Sequence, residues 1–250
     1  MRSIRHYLGV FLLACTCLAG NTSAAEVRVL ASNAMREVLL DAAPNFEKAS
    51  GHKVSMEFVG SVDILKRLRT GDKSADIIML QVSSIDELTT EGLIAKGSRT
   101  DIARSLVGVA VRAGAPRPDI SSGDALKRTL LNAKSIVVSS GPSGTYMLAL
   151  FEKMGIPRDH YRQLEPGVQT GLLVARGEAE LCFQQVSELL PVKGIDFLGS
   201  IPSDVQHVTV FAGGLHSASP NPQVAKALLQ YLASPVAAPV LKAKGMEPMK

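Results

Sequence analysis

The chain has 250 residues, of which 46% are hydrophobic, 20% charged and 4% aromatic, and its formal net charge is +4. That balance excludes a disordered chain, and 21 Gly and 13 Pro exclude a collagen-like or low-complexity one. Three Cys exclude a disulfide-dense scaffold, and the length suits one large domain or two small ones.

The chain starts with Arg2, Arg5 and His6, then the apolar run LGVFLLACTCLA at 8–19, then small residues up to Ala25. A dozen apolar residues are too few to span a bilayer but suit a secretory signal cleaved after Ala25. Cys15 offers a lipid-anchor alternative, which would require a very short apolar region. Removing 1–25 takes away two Arg and no acid, which lowers the charge to +2 and leaves Cys182 as the single cysteine. A periplasmic protein without an internal disulfide is therefore expected. Cys182 lies inside Leu181-Cys182-Phe183 and reads as a buried strand residue rather than a nucleophile.

From there strands and helices alternate. VRVL at 27–30 reads as a strand, and Met35, Val38, Leu39, Ala42, Ala43 and Phe46 keep helical period up to Gly51. Val54, Met56 and Phe58 alternate as a half-buried strand. A helix starts at Ser61 and stops at Gly71. A strand at 75–80 and a helix at 83–91 precede a long apolar strand at 106–112. Helix at 123–132, strand at 135–139, helix at 144–154, a short strand at 161–164, helix at 168–177, and strands at 180–185 and 195–198 continue the alternation. A last strand at 207–213 precedes helices at 221–233 and 236–244. Such alternation predicts an α/β fold of parallel sheets covered by helices. The strands at 106–112 and 207–213 read as crossings between two lobes, one of 26–107 plus 208–250 and the other of 108–207.

Four helices begin in small polar or glycine residues directly after a strand: Ala31-Ser32-Asn33-Ala34, Val59-Gly60-Ser61, Gly141-Pro142-Ser143-Gly144-Thr145 and Pro166-Gly167-Val168-Gln169-Thr170. In parallel sheets such turns lie at the carboxyl ends of the strands, where ligands bind. Free N–H groups, the positive helix end and a nearby hydroxyl together make an anion site that needs no Lys or Arg. The plainer reading is that Ser32, Ser61 and Ser143 cap their helices.

The segments ASNAMREVLLDAAPNFEKASGHKV, FVGSVDILKRLRTG, ADIIML, LVGVAVRAGAP, GEAELCFQQVSELLP and LKAKGMEP occur in the order seen in the molybdate-binding periplasmic proteins of ABC importers, which the chain resembles over its whole mature length. The resemblance implies a type II periplasmic binding fold closing on a small anion. It implies Ser32 and Ser61 as ligands from one lobe and the regions of Ser143-Gly144 and Gln169-Thr170 from the other. One departure stands out. Those binders commonly place a Tyr after the strand matching 180–185, where this chain has Gln184-Gln185, and Tyr146 is not at the equivalent place. An amide donates to a carboxylate as readily as to an oxoanion. The chain is similar as well to aconitate isomerases built on the same fold, whose tricarboxylate would normally add a cation such as Arg36 or Arg112.

Enzyme motifs are mostly absent. There is no phosphate-loop lysine, no G-x-S-x-G and no H-E-x-x-H, and Ser50-Gly51-His52-Lys53 straddles a helix end. His52, His160, His207 and His216 lack metal-ligand spacing, so no metal or cofactor is expected. Asp63 and Glu188 are the carboxylates nearest the expected cleft; Asp63 most simply complements its helix start, and Glu188 reads as solvated. With no evident general base at the assigned turns, the expectation is a monomeric solute-binding protein without a catalytic residue. It would hold a molybdate-like oxyanion or small carboxylate through Ser32, Asn33, Ser61, Ser143, Gly144, Thr145, Thr170 and Gln185, and present it to an ABC permease. Aconitate isomerisation is the alternative. A charge of +2 with scattered Lys and Arg speaks against a nucleic-acid partner.

Overall fold

The computed structural model describes residues 24–249. The expected signal segment lies outside the described residues up to position 23, and the first strand begins at Glu26, just past the expected cleavage point. The strands are β1 (Glu26–Ser32), β2 (Lys53–Val59), β3 (Ile77–Gln81), β4 (Thr100–Arg112), β5 (Ile136–Val138), β6 (Tyr161–Gln163), β7 (Leu181–Gln185), β8 (Ile195–Ser200), β9 (Val208–Leu215) and β10 (Met246–Pro248). The helices are α1 (Arg36–Ser50), α2 (Ser61–Arg69), α3 (Val82–Thr90), α4 (Gly123–Asn132), α5 (Pro142–Met154), α6 (Thr170–Ala175), α7 (Val186–Leu189), α8 (Pro222–Leu232) and α9 (Ala238–Ala243).

The strands form one continuous sheet in the order β2-β1-β3-β9-β4-β7-β5-β6, with β8 and β10 flanking β4. The expected parallel pairing is present twice, as β2-β1-β3 and as β7-β5-β6. The sheet as a whole is mixed, because β4 and β9, which carry the chain between the two parallel runs, are antiparallel to their neighbours. β4 is six residues longer than its apolar stretch. Its first half, Thr100 to Leu106, pairs with β9, and its second half pairs with β7 and β8. Polar Asp101 and Arg104 and a register shift between Asp101 and Ala103 conceal that first half from a hydrophobic pattern. The sheet therefore changes neighbours at Leu106–Val107.

Two of the core clusters follow this division. Val27, Val29, Val38, Leu39 and Phe46 pack with Leu228 and Leu232 around the first parallel run, and Val107, Leu126, Ile136, Met147, Phe151 and Phe183 around the second. The helical period read in 35–46 is the buried stripe of α1 from Val38 to Phe46, with Met35 in the 3-10 turn that leads into it. α4 matches its expected span residue for residue, with the Ser122 hydroxyl accepting from the Ala125 N–H as its cap. Cys182 is fully buried in β7, as its apolar neighbours implied. α7 and β10 were not expected, since four residues and a three-residue strand ending in Pro are too short to show a period.

Candidate functional site

A polar cavity of about 30 Å³, room for a water or a small ion, lies where the strand-to-helix turns of the two parallel runs meet. Ser32, Asn33, Ala34, Gly60 and Ser61 line it from the β1 and β2 ends. Ser139 to Ser143, Gly167 and Val168, and Gln184, Gln185 and Glu188 line it from the β5, β6 and β7 ends, with Phe211 beside them.

None of the three serines caps its helix. Ser32 precedes a 3-10 turn at 33–35 that leads into α1, and its side chain makes no cap bond. Its Oγ is buried with no hydrogen-bond partner among the described residues. Ser61 is the first residue of α2, whose cap is Gly60, and Ser143 sits inside the first turn of α5 after the cap Gly141. The Ser143 hydroxyl is buried and lies 3.1 Å from that of Ser139. Hydroxyls and free backbone N–H groups thus face the cavity without being consumed by local capping.

Among the described residues no Lys or Arg lines the cavity. An anion there would be balanced by the N-terminal ends of α2 and α5 and the turn before α1. Of the two arginines considered from sequence, Arg112 lines a separate hollow with Arg117 and Glu180 that shares no residue with the cavity. Arg36 stands over the Phe58 ring at 5.1 Å and lines an adjoining hollow of about 760 Å³ together with Asp63, Arg176 and Lys193. That hollow shares Asn33, Gly60, Gly167 and Val168 with the cavity.

Two backbone approaches shape the wall. A Cβ on Gly144 would fall 1.6 Å from the Ser139 carbonyl oxygen, so only glycine lets the first turn of α5 settle on the end of β5. Gly60 meets Gly167 across the cavity mouth, where an added Cβ would lie 2.8 Å from the Gly167 nitrogen.

Of the residues expected at the site, Ser32, Asn33, Ser61, Ser143 and Gln185 come together on this wall. Gly144, Thr145 and Thr170 do not. Gly144 is spent on packing, and Thr145 bonds back to the Gly141 carbonyl and lines a different hollow. The Thr170 N–H and hydroxyl both donate to Gln184 Oε1, at 3.0 and 2.7 Å. A polar residue at a helix start does not reveal which way its side chain turns.

Glu188 corrects the expectation of a solvated carboxylate. It lines the cavity, and Gln184 Nε2 donates to its Oε1 at 2.8 Å. Burial pushes the carboxyl up to about 7, against hydrogen bonds from the Gln184 side chain and the Gln185 backbone that lower it. Gln185 donates to Thr209 Oγ1 at 3.0 Å, which leaves its own Oε1 buried and unpaired. The Thr209 hydroxyl both donates and accepts, so a turned Gln185 amide keeps this bond and offers N–H to an anion instead. The turn from β7 into α7 is a fifth strand-to-helix junction. Its Gln-Gln-Val-Ser-Glu has no glycine and opens on two long side chains, unlike the small-residue starts that marked the other four.

Two parallel strand–helix runs joined by antiparallel crossings, with a small polar cavity at their strand ends, define the class of the periplasmic binding proteins. The periplasmic molybdate-binding protein of Azotobacter vinelandii superposes with a TM-score of 0.72 at 18% identity, covering 90% of this chain and 100% of that one. The chain belongs to the bacterial extracellular solute-binding protein family, whose profile matches residues 27–247. It is 39% identical to an aconitate isomerase of Pseudomonas sp. over 97% of this chain and 95% of that protein. It is 29% identical to the molybdate-binding protein ModA of Azotobacter vinelandii over 95% and 94% of the two chains.

Proposed function

We propose that this chain is a periplasmic isomerase of a small unsaturated polycarboxylate, of the cis/trans-aconitate type, working between two lobes of a solute-binding scaffold. The lobes are 26–107 with 208–250, and 108–207. The observation that carries the reading is a half-buried carboxyl, Glu188, on the wall of an anion cavity, with burial pushing it up to about 7. An oxyanion held by N–H groups and hydroxyls needs no carboxyl beside it. An isomerase needs a group that can take and give a proton near neutrality. The 39% identity to an aconitate isomerase over nearly the full length points the same way.

In this reading one substrate carboxylate occupies the cavity among Ser32, Ser61, Ser143 and Gln185. The rest of the acid extends past Gly60 and Gly167 into the hollow that contains Arg36 and Lys193. A second reading, capture of a tetrahedral oxyanion for a membrane permease, is favoured by the small size of the cavity and its lack of Lys and Arg. Incubating the purified protein with cis- or trans-aconitate and following their ratio, then titrating molybdate by calorimetry, decides between them. Interconversion establishes the isomerase. Tight molybdate binding without turnover establishes the receptor.

A further inference from the structure

Among the residues lining the cavity, Glu188 is the one with an acid or base side chain; the others are Ser, Asn, Gln, Gly, Ala, Pro, Val and Phe. The charged groups of the adjoining hollow, Arg36, Glu37, Asp63, Arg176 and Lys193, line its outer wall and not the cavity. Glu188 is also held in place from two directions. On its own side, Thr170 fixes Gln184 through two donations to one amide oxygen, which commits the Gln184 N–H₂ group to donate to Glu188. The next residue back, Ser187, is buried and donates from its hydroxyl to the Ala34 carbonyl at 2.9 Å. That bond ties the short α7 turn to the opposite side of the cavity, two residues from Ser32.

We propose that Glu188 is the catalytic residue that both removes and returns the migrating proton, with Gln184 and Thr170 as positioning residues, an assignment that rests on the isomerase reading above. The step balances without any co-reactant. The Glu188 carboxylate takes a proton from the CH₂ carbon next to the double bond, and the pair from that C–H bond spreads over the three carbons of the allylic system and their carboxylates. The same proton, now on Glu188, is delivered to the far carbon of the allylic system. A C–H bond forms there, and the double bond has moved by one position. The new double-bond geometry is set by the rotation of the former single bond in the bound acid, so no double bond need be twisted. With one titrating group in the cavity, the proton leaves and returns on one face of the substrate.

The test compares wild type, Glu188→Gln and Thr170→Val with trans-aconitate. Glu188→Gln is expected to lose at least about a thousandfold in kcat while calorimetric affinity stays within about tenfold. Thr170→Val keeps the side-chain volume and lies off the cavity wall. It is expected to lower kcat with KM unchanged and to move the acidic limb of the pH profile, because Gln184 is no longer held toward Glu188. Substrate deuterated at the CH₂ carbon is expected to carry part of its label to the new CH₂ carbon. Wild-type turnover with an active Glu188→Gln variant would overturn the Glu188 assignment and leave the isomerase standing. Complete loss of the label to solvent would overturn the single-group return. Absence of wild-type turnover would strike the isomerase reading itself.

Discussion

Gly60→Ala separates ligand binding from folding at one atom. Gly60 has φ −64° and ψ 143°, ordinary extended backbone that Ala adopts without strain. By itself the change should stabilise the fold by about 0.4–1 kcal/mol, because the unfolded chain loses freedom. The new Cβ, however, lies 2.8 Å from the Gly167 nitrogen and 3.4 Å from its Cα. Both are backbone atoms, so no side chain can swing away. Reaching ordinary contact moves the Gly167 turn outward by about 0.6 Å or more. An anion bonded at about 2.9 Å to both walls is then stretched to about 3.5 Å on one of them, beyond a useful hydrogen bond. Losing one such charge-assisted bond costs about 1.5–3 kcal/mol, which weakens binding by roughly 10- to 150-fold. Calorimetric titration with trans-aconitate, alongside a thermal melt, reads both quantities. Wild-type affinity in Gly60→Ala would refute the idea that the Gly60–Gly167 contact closes the site around its ligand.

Ser32→Ala should leave the melting temperature nearly unchanged, since the hydroxyl bonds no other protein group, and it should weaken anion binding about tenfold; both are read by the same pair of assays. Glu188 titrates at about 7 in the fold against 4.5 in the unfolded chain, so the folded state holds the proton more tightly. Its stabilising contribution is full below 4.5 and is lost as pH rises through 7, leaving a half-buried carboxylate at a cost of at most about 3 kcal/mol. Glu188→Gln should accordingly melt higher than wild type at about pH 9 and nearly equal to it at about pH 4, as thermal melts across pH will show. Burial pushes the Cys182 thiol up to about 12, so a colorimetric thiol reagent at about pH 8 should leave it unmodified until the protein is unfolded.

Sequence patterns were most informative where a buried stripe repeats over several turns. The face of α1 and the whole of α4 were legible because apolar residues recur there at helical spacing. β4 was half legible, since its first residues alternate poorly around a bulge. At the site, Ser32, Ser61 and Ser143 stood out because small residues clustered after strands. Thr170 stood out for the same reason, yet its hydroxyl turns inward to Gln184. Glu188 was legible as a carboxylate near the cleft but not as a held one, because that depends on burial and on a neighbour at i−4, and neither leaves a compositional trace in a four-residue helix.

The joint between the two parallel runs has an architectural consequence. Leu106 on β4 is the register partner of Val208 on β9, and the Gln206 side chain accepts from the Val107 N–H and donates to the Val107 carbonyl. The stretch 107–207 thus leaves and re-enters the fold at a single doorway one residue pair wide. β1 and β10, near the two ends of the described chain, both belong to what remains. The middle of this protein is in effect a graft, and a foreign segment whose ends lie equally close could be spliced in at that doorway without redrawing the strand order of the host.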